Sequence, residues 1–210
     1  GARMLSTHQA HYPAMLRPPA FVPQERLELL ARAAELLENG TDYEKTLDFV
    51  ADLLVTSLAS WCTIDLVNEE GVIERVAVAH RDSAKNDMTR LMLRKHPARS
   101  TAKNGVYRVI ETRQPILLPV LTRDDWARRA DDPKHLDLIM ELGSTSYMCV
   151  PLIARGRVVG AFILFSDLRT YDERDLETAL ELARLIAMAV DNVSMFRKMQ
   201  ATLIELESTH

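Results

Sequence analysis

The sequence predicts an α+β fold in which an antiparallel β-sheet is sandwiched by helices and a long helix closes the chain. Two apolar segments joined by a short basic turn, residues 145–153 and 158–165, predict a β-hairpin. A second alternating pair, residues 61–67 and 72–80, flanks a turn at 68–71 and predicts another. Helical periodicity before and after these strands indicates that helices pack on the sheet.

The remaining elements follow from local signals along the chain. Residues 1–23 carry four prolines without apolar periodicity and predict a flexible arm. A helix over 24–38 is expected to end at Asn39-Gly40, and a capping box from Thr41 to Glu44 to open a second helix reaching about residue 59. We then expect helices over 84–95, 105–113, 124–130 and 133–142, with a strand over 116–120 that Pro119 keeps at the sheet edge.

The last helix is the most informative element. From the capping signal Thr170-x-x-Glu173, no glycine or proline interrupts the chain before Glu207, which predicts a rod on the order of 50 Å. One apolar stripe suits packing on the sheet: Leu176, Leu180, Ala183, Ala187 and Val190. A second set repeats at heptad spacing with one polar member: Leu182, Leu185, Ala189, Asn192, Phe196, Met199, Leu203 and Leu206. We call this set the seam and interpret it as a dimer contact; a long buried helix with a frayed end is the alternative.

Composition limits the functional classes. The 210 residues have a formal net charge of −4, which gives no electrostatic reason to expect nucleic acid binding. Cys62 and Cys149 stand apart in apolar segments and are expected to be free buried thiols in a reducing cytoplasm. The chain has no secretory signal and no apolar run of membrane-spanning length, so we expect a cytoplasmic location without membrane contact in these residues.

Motifs for catalysis are not found. The seven glycines are spread along the chain and form no phosphate-cradling loop, and neither Gly-x-Ser-x-Gly nor His-Glu-x-x-His occurs. His8-x-x-His11 has metal-ligand spacing only if it is helical, yet it lies in the proline-bearing arm, so no metal site is predicted. The sequence is therefore interpreted as non-enzymatic.

Three blocks, in this order, resemble the GAF domain, a small-molecule sensing module. They are the segments 143–161 (GSTSYMCVPLIARGRVVGA), 171–177 (YDERDLE) and 185–192 (LIAMAVDN). Residues 76–82, 105–115 and 130–136 are similar to the subgroup found beside PAS, histidine kinase or phosphatase modules in bacterial signalling proteins. The resemblance implies a sensor of a bacterial signalling protein, of histidine kinase or phosphatase type, with an output domain in cis.

The same resemblance argues against several ligands and activities that are known in the family. Bilin-binding relatives carry Cys-His where this chain has Lys134-His135, so covalent bilin attachment is not expected. Methionine sulfoxide reductases of this fold need several cysteines close together, and the two isolated cysteines of this chain argue against that activity. The motif of the cyclic-nucleotide-binding members is also not found. The sequence therefore does not identify a cofactor, which stays unknown.

The division predicted is an arm at 1–23, a GAF domain at 24–193 and the start of a coiled-coil or linker helix at 194–210. The helix-rich stretch of residues 84–142, which we call the excursion, lies between the two hairpins. Residues of the middle strands and the excursion are predicted to line a ligand pocket: Cys62, His80, Trp126, His135, Tyr147 and Phe162. The alternative is that these side chains fill the space themselves. The function expected is a homodimeric sensor that binds a small molecule or partner and relays the signal through its last helix, and the competing hypothesis is a ligand-free dimerisation domain.

Overall fold

The computed structural model describes residues 23–40, 42–95 and 105–209. Residues 1–22 of the predicted arm, including His8 and His11, lie outside this range, as does Thr41. Within the described residues the elements follow the predicted order: α1 (Pro23–Asn39), α2 (Tyr43–Ser57), β1 (Trp61–Val67), β2 (Ile73–His80), α3 (Ser83–Lys95), α4 (Val106–Thr112), β3 (Ile116–Leu118), α5 (Arg123–Arg129), α6 (Pro133–Glu141), β4 (Ser146–Ala154), β5 (Arg157–Ser166) and α7 (Glu173–Ser208).

The five strands form one antiparallel sheet in the order β2-β1-β5-β4-β3. The α+β prediction is confirmed, and β3 lies at the edge as Pro119 indicated. Pro151 lies within β4, and a proline in a strand needs an edge or unpaired position because it has no amide hydrogen. Because β3 pairs with β4 only over Tyr147–Cys149, the stretch of β4 around Pro151 has β5 on one side and no described strand on the other.

Helices cover both faces of the sheet. Helices α2 and α7 pack on one face, which we call the helix-pair face, and α1 lies across α2 and α7. Helix α3 contacts β2 and helix α4 contacts β4 and β5 on the opposite face, which we call the excursion face. Since side chains alternate along a strand, each strand supplies both layers.

The helix caps differ from the predicted ones. Asp42, not Thr41, caps α2, and its carboxylate accepts from the amides of Glu44 and Lys45. Helix α7 begins with a capping box of Asp172 and Asp175, two residues after the predicted box at Thr170. Both corrections have one reason: a carboxylate near the first turn accepts amide hydrogen bonds and also interacts favourably with the helix dipole.

Gly160 permits a close approach between two strands. A side chain there would place its Cβ 2.0 Å from the carbonyl oxygen of Asp65, so the glycine lets β5 approach β1. Gly143 and Gly156 lie in turns and have positive φ angles of 72° and 77°, a conformation that favours glycine.

Helix α7 has 36 residues and is about 54 Å long. Its sheet-facing stripe differs from the prediction, because Leu180 is exposed and Leu182 is fully buried. Ala179, Leu182, Ala183, Ile186 and Ala187 make the contact with the core. The sheet-facing surface of the helix is therefore rotated from the predicted stripe, and residues 192–208, which we call the exit segment, are mostly exposed.

Candidate functional site

The excursion face carries three rows of side chains that run across the sheet. The register aligns His80, Trp61, Phe165 and Tyr147 in the first row, and Val78, Thr63, Ile163 and Cys149 in the second. Arg75, Asp65, Ala161 and Pro151 form the third. The character of the surface thus changes from aromatic at one end to charged at the other.

The aromatic end is filled by protein. The rings of Trp61 and Phe165 stack with centroids 3.8 Å apart and an interplanar angle of 8°. Trp126 of α5 and Tyr147 of β4 add rings at 5.4 and 5.2 Å from Phe165. Both indoles donate to Ser144, one to the hydroxyl and the other to the carbonyl oxygen. This cluster anchors α5 to the sheet through apolar area and paired polar tips.

The charged end holds an ion pair in the interior. Arg75 donates from Nε and Nη2 to the two carboxylate oxygens of Asp65, at 2.8 and 3.3 Å. Only 1% of Asp65 is exposed. Burial raises the pKa of Asp65, and the charge of Arg75 opposes that rise. The next positions across the sheet in the same row are Ala161, which has a small side chain, and Pro151.

The six predicted pocket residues do not meet at one place. Trp126 and Tyr147 belong to the aromatic cluster on the excursion face, whereas Cys62 and Phe162 lie in the core of the helix-pair face. The Cys62 thiol donates to the carbonyl oxygen of Ala51 in α2. The strand alternation explains this split, because neighbouring positions such as Trp61 and Cys62 point to opposite faces.

The two predicted histidines, His80 at the end of β2 and His135 in α6, are both buried. His135 Nδ1 accepts from the amide of Asp131 at 2.9 Å. His80 Nδ1 accepts from the amide of Asp82 at 2.9 Å, so the neutral ring carries its proton on Nε2. That Nε2 is buried and has no hydrogen-bond partner among the described residues. Burial lowers the pKa of His80, with Lys85 adding to the effect.

The two cysteine thiols lie in buried surroundings that disfavour their ionised form. Cys62 and Cys149 are free and buried, as predicted, and burial raises the pKa of each thiol to about 12. A thiol with such a pKa is not a thiolate at neutral pH. Within the described part of the chain, no group of three His, Cys, Asp or Glu side chains is placed to hold a metal ion.

The seam residues fall into two sets. Leu182 is fully buried in its own core, and Leu185 and Ala189 are partly buried. Together with Asn192 these last two line a groove of about 360 Å³ between α1, α2 and α7. Phe196, Met199, Leu203 and Leu206 are exposed, at 58 to 63%. The part of the seam open to a partner thus begins at the groove and continues along the exit segment.

Sequence reasoning missed two charged groups. One is the Asp65–Arg75 pair, and the other joins Arg155 and Arg157 of the β4–β5 hairpin to Asp191 of α7. A signal was present in both cases, because Asp65 stands inside an apolar strand and Asp191 follows Ala187 by four residues on the buried side of the helix. A charge at such positions indicates a buried partner.

Among residues 23–40, 42–95 and 105–209, no helix has the length and apolarity that crossing a membrane requires.

Comparison with known proteins agrees with this architecture. The chain is similar to the GAF domain of an Acinetobacter phosphoenolpyruvate-protein phosphotransferase, with 12% identity, a TM-score of 0.61, and coverage of 83% of this chain and 97% of that one. A domain of a putative two-component sensor histidine kinase from Sinorhizobium meliloti has 19% identity, a TM-score of 0.53, and coverage of 77% and 99%. The free methionine-R-sulfoxide reductase from Neisseria meningitidis, solved with its substrate, has 18% identity, a TM-score of 0.55, and coverage of 79% and 88%.

These likenesses concern the fold. None of the curated proteins matches the chain. The family model for the GAF domain matches residues 40–191, which is more than half of the sequence and includes the sheet, the excursion and the buried part of α7. The chain therefore belongs to the GAF domain family.

Proposed function

We propose that this protein is the sensory domain of a bacterial signal-transduction protein, of the sensor histidine kinase type, which passes its signal through a dimeric exit segment to an output domain in cis. The observation that carries the proposal is the division of α7. One continuous helix contributes Leu182 and Ile186 to the domain core and then presents Phe196, Met199 and Leu203 on its surface. A rigid helix shared between core and surface converts a change in the core into a change at the surface.

A second copy of this chain is the proposed partner of the seam. The exposed members recur at heptad spacing, and such a stripe buries its apolar area when two helices pair in register. Asn192 stands in the same repeat, where a polar residue fixes register at a cost in stability. The groove beside α1 continues this surface, so α1 lies next to the α7 contact in the proposed dimer.

Light scattering tests the seam with a matched control. Phe196→Asp and Leu203→Asp are expected to convert a dimer into a monomer, because each places a charge in an apolar contact. Ile204→Asp makes the same kind of change at a residue that is 66% exposed and lies outside the heptad set. Equal masses for all three variants and the unmodified protein would contradict a dimer through the seam.

The ligand is proposed to bind on the excursion face, between the sheet and helices α3 and α4. The support is the Asp65–Arg75 pair, since polar groups in an otherwise apolar layer are what orient a small molecule. The competing function is a ligand-free dimerisation domain that folds this pair into its core for structural specificity alone.

Native mass spectrometry distinguishes these two functions. The protein is measured first under native conditions and then denatured, so that the oligomer and any retained small molecule are read from one sample. A dimer that carries extra mass, lost on denaturation, is the expected result for a sensor. A dimer without extra mass, even after incubation with a small-molecule library, favours the structural function.

A further inference from the structure

We propose that Arg155, Arg157 and Asp191 form a latch that sets the direction in which the exit segment leaves the domain. Arg155 and Arg157 lie at the turn of the β4–β5 hairpin, and Asp191 is the last buried residue of α7. Through these three residues the hairpin connects the sheet to α7 at the point where the helix becomes exposed.

The contacts of the latch are short and use both carboxylate oxygens of Asp191. Arg155 Nη1 donates to one carboxylate oxygen of Asp191 and Arg157 Nη2 donates to the other, each at 2.8 Å. Only 3% of the Asp191 side chain is exposed, whereas about half of each arginine side chain is. The Asp191 carboxylate is held firmly in place, because separation from both arginines would leave a buried charge without a partner and without water.

The hairpin presents its arginines through a constrained turn. Arg155 and Gly156 both have left-handed backbone conformations, with φ angles of 51° and 77°. Two successive positive φ angles characterise the two-residue turns that match the twist of a β-hairpin. Arg155, which donates to Asp191 of the helix, thus belongs to the turn itself, and any shift between β4 and β5 moves it.

Arg155 extends the latch into the exit segment, where its Nη1 also contacts the sulfur of Met195. Arg155 Nη2 donates to the side-chain oxygen of Asn192 at 3.2 Å. Asn192 is a seam residue, so the same guanidinium contacts both the buried anchor and the surface proposed to meet the second copy. A displacement of the hairpin therefore acts on the helix where it changes from core to surface.

A second contact holds the helix from another direction. The guanidinium of Arg197 lies over the ring of Tyr43, 5.2 Å from its centroid, and Tyr43 is the first residue of α2. Asp191 and Arg197 are about 120° apart around the helix axis, since each residue advances the helix by about 100°. Contacts on two sides define the rotation of the helix as well as its tilt.

A distance measured within one protomer tests the latch. We propose spin labels on cysteines introduced at Asp48 of α2 and Ala201 of the exit segment, with unlabelled protein in excess so that distances between protomers are suppressed. Cys62 and Cys149 are buried and leave the labels to the new thiols. The variants are Asp191→Asn and the double change Arg155→Gln with Arg157→Gln.

Both variants are expected to shift or broaden the distance distribution. Ala201 lies ten residues past the latch, about 15 Å along the axis, so a bend of about 20° moves the label by about 5 Å. The matched control is Arg169→Gln, which breaks a comparable pair, Arg169–Asp175 at 2.9 Å, near the opposite end of α7. The control is expected to keep the original distribution.

An unchanged distribution in both latch variants would overturn the proposal, and so would an equal shift in the Arg169→Gln control. If Asp191→Asn does not fold, the double arginine variant decides, because its side chains are half exposed. The inference rests on the proposed function only for its consequence in signalling. A failed seam would appear as a monomer by light scattering, and the distance inside one protomer would still report on the latch.

Discussion

The two faces of the sheet are built from the same strands but differ in what they bury. The helix-pair face is apolar throughout its centre, where Ile64, Val150 and Phe162 are fully buried under α2 and α7. The excursion face contains the buried Asp65 carboxylate, its partner Arg75 with 19% of the side chain exposed, and the buried polar tips of Tyr147 and Cys149. The helix-pair face thus has the composition that stabilises a fold, whereas the burial of charged groups on the excursion face costs desolvation free energy.

That difference separates the roles of the two layers. Apolar burial stabilises roughly in proportion to area, whereas a buried ion pair contributes little net stability relative to apolar residues of similar size. Net stability alone does not account for the ion pair on the excursion face; recognition of a small molecule is the role proposed here, and structural specificity is the competing one. Four changes test this contrast, from the largest expected effect to the smallest.

Phe162→Ala removes the largest side chain at the centre of the helix-pair face. We expect the free energy of unfolding to fall by about 3 to 5 kcal/mol, because the protein loses the free energy of burying the ring and also carries the cost of the cavity left behind. Phe49→Ala is the matched control, since Phe49 is 57% exposed on the outer side of α2. Urea unfolding measures both. A loss for Phe162→Ala no larger than that for Phe49→Ala would contradict the assignment of this face as the stabilising core.

Arg75→Met breaks the ion pair from one side. It should lower the free energy of unfolding by about 3 kcal/mol, because the Asp65 carboxylate is then buried without its partner. The double variant Asp65→Leu with Arg75→Met should recover most of that loss, since both charges are gone.

The double variant also separates the two functions. If the pair orients a ligand, native mass spectrometry of the folded double variant should show less retained small molecule than the unmodified protein. Full retention in a variant of recovered stability would assign the pair to the structural core and count against the proposed binding place.

Tyr171→Phe tests a polar contact on the helix-pair face. The phenol donates to the carbonyl oxygen of Leu58 at 2.9 Å, and both groups are buried. Removing the hydroxyl should lower the free energy of unfolding by about 1 kcal/mol. A thermal denaturation midpoint equal to that of the unmodified protein would show that the hydrogen bond makes no net contribution.

His80 gives the smallest expected effect, through pH. Burial lowers its folded-state pKa below the ordinary value of 6.5. The unfolded chain then binds a proton first as the solution is acidified, so this contribution to stability is present above that value and declines as pH falls through the folded-state pKa. Urea midpoints at about pH 7.5 and about pH 5.5 should differ less in His80→Gln than in the unmodified protein. An unchanged difference would mean that His80 is not the group responsible.

The order and type of the elements could be predicted because they depend on local patterns. Trp61–Val67 matched its predicted strand residue for residue, since alternation and the following turn both mark it. The helix starts were less predictable, because Thr170 and Asp172 are both acceptable caps; the structure uses the carboxylate of Asp172, and Tyr171 before it packs into the core.

The candidate site was harder to predict than the fold. The sequence shows that Cys62 and Phe162 are apolar strand residues but does not state which face of the sheet each one meets. Leu182 raised the same difficulty, since it fits both a heptad repeat and a core stripe, and the structure buries it in the core. Pairings such as Asp65 with Arg75 or Asp191 with Arg155 depend on the register and on a hairpin far away in sequence, which no local spacing reveals.

The unbroken course of α7 has a consequence for protein engineering. A domain joined to this helix without an interruption inherits its phase, so each inserted residue turns that domain by about 100° and moves it by about 1.5 Å. Seven inserted residues restore the orientation to within about 20°, whereas two inserted residues turn the attached domain towards the opposite side. Chimeras built on this helix should therefore change their output with the period of the helix rather than with the length of the linker.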